Sequence, residues 1–165
     1  MKRIQKTTGW GLAGLALFMV SGCAFLCGNG EGEFSKDVNF MEKHTEIVLL
    51  QHGDAAVAVA PAYQGRVMTS TFHQKSGPSF GWINRPVIEK GLLPEEESKG
   101  GLEEHIYIFG GEERFWLGPE GGQYALFFKP GAKFEFSDWT TPPVIDTEPY
   151  ELVEHTKHFA TFRSI

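Results

Sequence analysis

The sequence predicts an all-β protein, most simply an antiparallel β-sandwich, on three observations. Past residue 44 apolar and polar side chains alternate with period 2, turns containing glycine or proline separate the runs, and no segment carries a convincing helical period. "TEIVLLQ" (Thr45 to Gln51) and "AAVAVA" (Ala55 to Ala60) flank the turn "HGD", which is a hairpin signature. Val57 and Val59 share one face of the second strand, and the other face is alanine throughout, small enough for another layer to approach closely. Pro61 ends that run, and "RVMTSTF" (Arg66 to Phe72) is the third strand. A loop from His73 to about Gly101 follows, aromatic and glycine-rich first, acidic later. Loops of that length usually carry function or lack order. "EHIYIF" (Glu104 to Phe109) reads as a strand, and "QYALFF" and "KFEF" as two more around the turn "KPGA". "YELV" and "FATFRS" form a last pair.

The start of the chain reads differently. Lys2, Arg3 and Lys6 precede an apolar run from Trp10 to Val20 that is too short to span a bilayer, so residues 1–22 read as a signal peptide. The tetrad "VSGC" resembles a bacterial lipobox, which makes Cys23 the expected lipidated first residue of an envelope protein, on its periplasmic or outer-membrane face. Residues 23–43 are expected to be a flexible tether, and residues 44–165 the β-sandwich domain. Beyond residue 22 there remain 12 Lys and Arg against 21 Asp and Glu, a net charge of −9. That balance, with no basic tract, argues against nucleic acid as a partner. Cys27 has no expected disulfide partner once Cys23 is lipidated.

The chemistry concentrates in "GGEERFWLGPEGG" (Gly110 to Gly122). Its glycines permit tight turns, and between them stand Glu112, Glu113, Arg114, Trp116 and Glu120. Carboxylates accept paired hydrogen bonds from sugar hydroxyls, arginine donates a fixed fork, and an indole covers the apolar face of a pyranose. The reading that residue types alone favour pairs Arg114 with a glutamate at a sheet corner and puts Phe115, Trp116 and Leu117 in the core.

"GRVMTSTF", "SFGWIN", "GGEERFWLGPEGGQYALFFKPGAKF" and "WTTPPVIDTEPYELV" together resemble an uncharacterised family of bacterial exported proteins. That family is itself similar to the galactose mutarotase-like, or aldose 1-epimerase-like, β-supersandwich. The resemblance implies a sugar-binding concave face that Arg66, Arg114, Trp116 and Glu120 line or support; Glu113, from the glycine-bracketed run, is a further candidate ligand-binding residue. Neither the histidine acid nor the glutamate base of the epimerases maps onto this chain, so enzymatic activity stays open. The length implies an incomplete supersandwich, with an open apolar edge at the last strands.

Other candidates are weaker. His155 and His158 in "HTKH" lack a third ligand, so no metal and no cofactor are expected. His52 in its turn and His105 beside Glu104 read as solvated groups before they read as acid–base catalysts. "SFGWIN" lacks the glycine-serine-glycine elbow of hydrolases. Three readings follow: a carbohydrate-binding lipoprotein, a non-catalytic structural or interaction protein of the envelope, or a truncated fragment without function.

Overall fold

The computed structural model describes residues 32–164. The expected signal peptide, Cys23 and Cys27 lie outside the described residues. The fold is mostly β, with three small antiparallel sheets and a few short helices.

The largest sheet is a meander of β1 (Val48–His52), β2 (Ala55–Ala60) and β3 (Arg66–Thr71). β1 and β2 pair in continuous register from Val48 opposite Val59 to His52 opposite Ala55, so the expected hairpin is present. Gly53, at φ +60°, supplies the left-handed position its tight turn needs. The alanine face of β2 points inward: Ala56, Ala58 and Ala60 lie in the core with Phe34, Val38 and Met41. Small side chains there do admit a second layer.

That layer is a helix, and it corrects the expected tether. α1 (Glu33–Met41) buries Phe34, Val38, Phe40 and Met41. Positions 34, 38 and 41 recur at helical spacing, and Glu33 sits in the first turn, where the helix dipole favours an acid. The chain before it is pinned by Gly32 N–H donating to Lys75 O at 2.8 Å, and Ser35 Oγ donates to Gln74 O at 2.7 Å. Residues 32–41 therefore belong to the domain.

The long segment after His73 contains β4 (Trp82–Ile83), α2 (Arg85–Lys90) and α3 (Glu95–Ser98). β4 pairs with β5 (Gly110–Gly111), Trp82 opposite Gly111 and Ile83 opposite Gly110. The strand expected over Glu104 to Phe109 is not one. Leu102–Glu104 form a single 3-10 turn, and the following residues run on without a strand partner. Tyr107 and Phe109 still alternate inward while Ile108 is exposed, so the period-2 signal reports burial rather than pairing.

The strands expected at "QYALFF" and "KFEF" are likewise absent among the described residues; one bridge, Phe128 opposite Trp139, replaces them. Their turn is present: Ala132 N–H donates to Lys129 O at 3.0 Å and Gly131 holds φ +82°. Aromatic packing does the work that a ladder was expected to do. Phe127 is fully buried, stacked on Trp139 at 5.3 Å and tilted against Trp116 at 5.2 Å. At the end of the chain β6 (Glu151–His155) pairs with β7 (Ala160–Arg163) and with no third strand among the described residues. Its turn docks on β1, where Gln51 N–H donates to Lys157 O at 2.7 Å and Gln51 O meets His158 Nδ1 at 2.9 Å.

Candidate functional site

The glycine pair at Gly110 and Gly111 is a packing device. Glu112 N–H donates to Val67 O at 2.8 Å and Val67 N–H to Glu113 O at 2.9 Å, so this segment runs along β3 while β4 lies on its other side. A Cβ on Gly110 would collide with the carbonyl oxygen of Trp82, and one on Gly111 would sit 2.9 Å from Arg66 Cδ. Both residues also hold positive φ, +92° and +110°. Gly110→Ala should therefore cost about 1–3 kcal/mol from backbone strain alone, with the clash added, read as a lowered urea midpoint.

The predicted site residues divide. Arg66 is 2% exposed; its Nη1 donates to Gly110 O at 2.9 Å and its guanidinium lies over Phe109, 5.8 Å from the ring centre. Burial, then the nearby Arg114 cation, pushes the Arg66 guanidinium down to about 10. Arg114 is half-buried, donates from Nη2 to Ile145 O and pairs with Asp146 Oδ1 at 3.4 Å. Burial outweighs that pairing and leaves its guanidinium below its ordinary value. Asp146 also accepts Tyr107 N–H at 2.8 Å, yet burial raises its carboxyl above 3.8. The structure thus brings Arg66 and Arg114 together around an acid that the sequence did not single out.

Trp116 is half-buried, with the Arg114 guanidinium over its ring at 4.4 Å and its Nε1–H donated to Glu120 at 2.6 Å. Phe127 occupies further ring surface. An indole engaged in this way offers a saccharide little free face. Glu113 is exposed and contributes its backbone to β3, and Glu112 takes both the N–H and the hydroxyl of Ser70, at 2.5 and 2.9 Å. Arg66, Arg114, Trp116 and Glu120 form one connected group; Glu113 stands at its edge.

The free indole is elsewhere. Trp82 is 61% exposed and lies on a groove of about 360 Å³ with Glu33, Lys36, Asp37, Ser79 and Arg85. Arg85 Nη2 pairs with Asp37 Oδ1 at 2.5 Å, and its guanidinium stacks over Phe40 at 4.2 Å. Phe80, two residues before Trp82, is exposed as well and tilts against Phe72 at 5.9 Å. The sequence held half of the signal: the loop after His73 is aromatic and glycine-rich in its first part. Its polar partners on α1 were hidden inside the expected tether.

Other candidates resolve simply. His158 uses Nδ1 on Gln51 O and tilts against His52 at 6.2 Å; His105 Nδ1 meets Trp139 O at 2.7 Å. Among the described residues no three His, Cys, Asp or Glu side chains are placed to hold a metal ion, and no helix is long and apolar enough to cross a membrane.

Mostly-β architecture, a buried arginine–aspartate cluster and an aromatic groove define what the molecule is structurally. The chain belongs to a family of unknown function, DUF6786, which it matches over residues 32–164. No curated protein and no solved structure matches it.

Proposed function

We propose that this protein is a carbohydrate-binding lipoprotein of the bacterial envelope, built on a mutarotase-like β-sandwich and recognising sugar at the Trp82 groove. The observation that carries this reading is the solvent-open indole of Trp82, which lines one groove with the ion-paired Arg85 and Asp37. A pyranose laid on that ring buries its C–H face, while its hydroxyls reach Asp37, Arg85, Glu33 and Ser79 as acceptors and donors. Lys36 adds a second cationic side chain, beside Arg85, to the rim. The groove lining holds no histidine to pair with a glutamate as in the epimerases, and the reading proposed is of binding. Cys23 carries the anchor that places the domain at the membrane surface.

The test is a fluorescence titration with a panel of mono- and oligosaccharides on the wild type and Trp82→Ala. Because the ring is largely exposed, the variant should melt within about 2 °C of wild type, since such surface changes are usually close to neutral. It should lose at least tenfold in affinity for the sugar that wild type binds. Equal binding by both proteins would remove the groove from the reading.

A second reading, an interaction protein, draws on one observation. Tyr124 is 79% exposed, and Phe115, Leu126, Phe134 and Phe136 are exposed in the same stretch of chain. Apolar groups shown to solvent in such number mark contact surfaces. Absence of any sugar response, with concentration-dependent association abolished by Phe134→Ser and Phe136→Ser, would favour it.

A further inference from the structure

The cluster of Arg66, Arg114 and Asp146 holds two guanidiniums against one carboxylate. Its hydrogen bonds are as uneven as its charge. Arg66 spends Nη1 on Gly110 O, and its Nε and Nη2 are buried without a protein acceptor among the described residues. Those two N–H groups make up one complete side of the guanidinium fork, the side that receives both oxygens of a carboxylate. Phe109 lies over the flat face of Arg66, which leaves in-plane contacts to the edge. Arg114 repeats the pattern: Trp116 covers its face, Nη2 is engaged by Ile145 O and Asp146, and Nε is buried without an acceptor. Asp146 does not serve the open edge of Arg66: its hydrogen bonds come from Tyr107 N–H and Arg114 Nη2. Buried N–H groups of this kind are rare in folded proteins and ask for a partner.

We propose that the Nε–Nη2 edge of Arg66 is a carboxylate-binding site. It takes the carboxylate of a small free acid, or that of an acidic sugar, entering past Arg114, the more exposed of the two arginines. Arg114 supplies the second positive charge, so the bound anion balances the cluster. The site shares no residue with the Trp82 groove, so each proposal can fail without the other.

The experiment adds sodium formate, sodium glucuronate or glucose to the intact protein, with sodium chloride as the control at equal ionic strength. Melting temperature and the ¹⁵N–¹H signal of Arg66 Nε are followed. A saturable rise of about 3 °C or more with a shift of the Arg66 signal is expected from a carboxylate and not from glucose. Response to formate alone identifies a small acid; response to glucuronate at lower concentration identifies an acidic sugar. Arg66→Lys, which keeps the charge and loses the fork, should lose the response. Should that variant fail to fold, the Arg66 signal in the wild type decides. Equal stabilisation by chloride and formate, or an Arg66 signal unmoved by either acid, overturns the proposal.

Discussion

Asp146→Ala should destabilise the domain by about 3–5 kcal/mol, the usual cost of removing one partner of a buried pair. Asp146 is 2% exposed and is the carboxylate paired with Arg114. Its removal strands two guanidiniums and leaves Tyr107 N–H without its acceptor. Asp146→Asn should cost less, because the amide oxygen still accepts from Tyr107. The pH dependence separates charge from shape. Burial holds the Asp146 carboxyl above 3.8, so the folded state binds this proton more tightly than the unfolded chain does. The contribution is then fully present below the unfolded value and is lost as pH rises through the folded one. The urea stability of wild type relative to Asp146→Asn should therefore fall as pH rises from about 3.5 across the carboxyl range. Arg66 has the mirror relation: depressed to about 10, its contribution is present above its unfolded value and lost as pH falls through the folded one. At neutral pH both charges are held against their own desolvation.

Phe109→Ala should cost about 3–5 kcal/mol by loss of buried area and the cavity left behind. Its ring is 2% exposed, stacks on Tyr63 at 4.1 Å and lies 5.6 Å from Tyr107. The same ring covers Arg66. Truncation therefore opens the core and wets the guanidinium at once. Urea unfolding should give the loss directly, and the near-ultraviolet circular dichroism of the tyrosines should weaken in the folded state. A change below about 1 kcal/mol would mean that the site collapses around the smaller side chain and that the ring stack is not central to the core.

The sequence disclosed the parts of the fold that are local. The β1–β2 hairpin, the alanine face, the turn around Gly131 and the final hairpin each follow from residues close together in the chain. What it concealed depends on partners far away. Tyr107 and Phe109 alternate like a strand because they are buried on one side, and among the described residues no neighbouring strand pairs with them. Phe127 and Trp139 hold their region through ring stacking at 5.3 Å, which leaves no periodic trace. α1 was lost for another reason: its helical spacing at Phe34, Val38 and Met41 follows glycine-rich, charged sequence that reads as linker.

The candidate site was legible in type and only partly in place. Arg66, Arg114, Trp116 and Glu120 do come together, yet mostly through one another, since Trp116 gives its N–H to Glu120 and a face to Arg114. Asp146 was invisible because nothing within "VIDTEP" announces that it will meet arginines 32 and 80 residues earlier in the chain. Trp82 does not stand out in the sequence because its polar neighbours Glu33 and Asp37 lie some 45 residues before it, on α1.

The most direct measurement of the sugar-binding account is the set of indole N–H signals in a ¹⁵N-labelled protein during saccharide titration. Trp82, Trp116 and Trp139 give three separate reporters at an open groove, a half-buried stack and an aromatic core. The account predicts that a binding sugar shifts the Trp82 signal saturably and leaves Trp139 unmoved. A sugar that shifts Trp116 and not Trp82, or a panel that shifts none of the three, would contradict it.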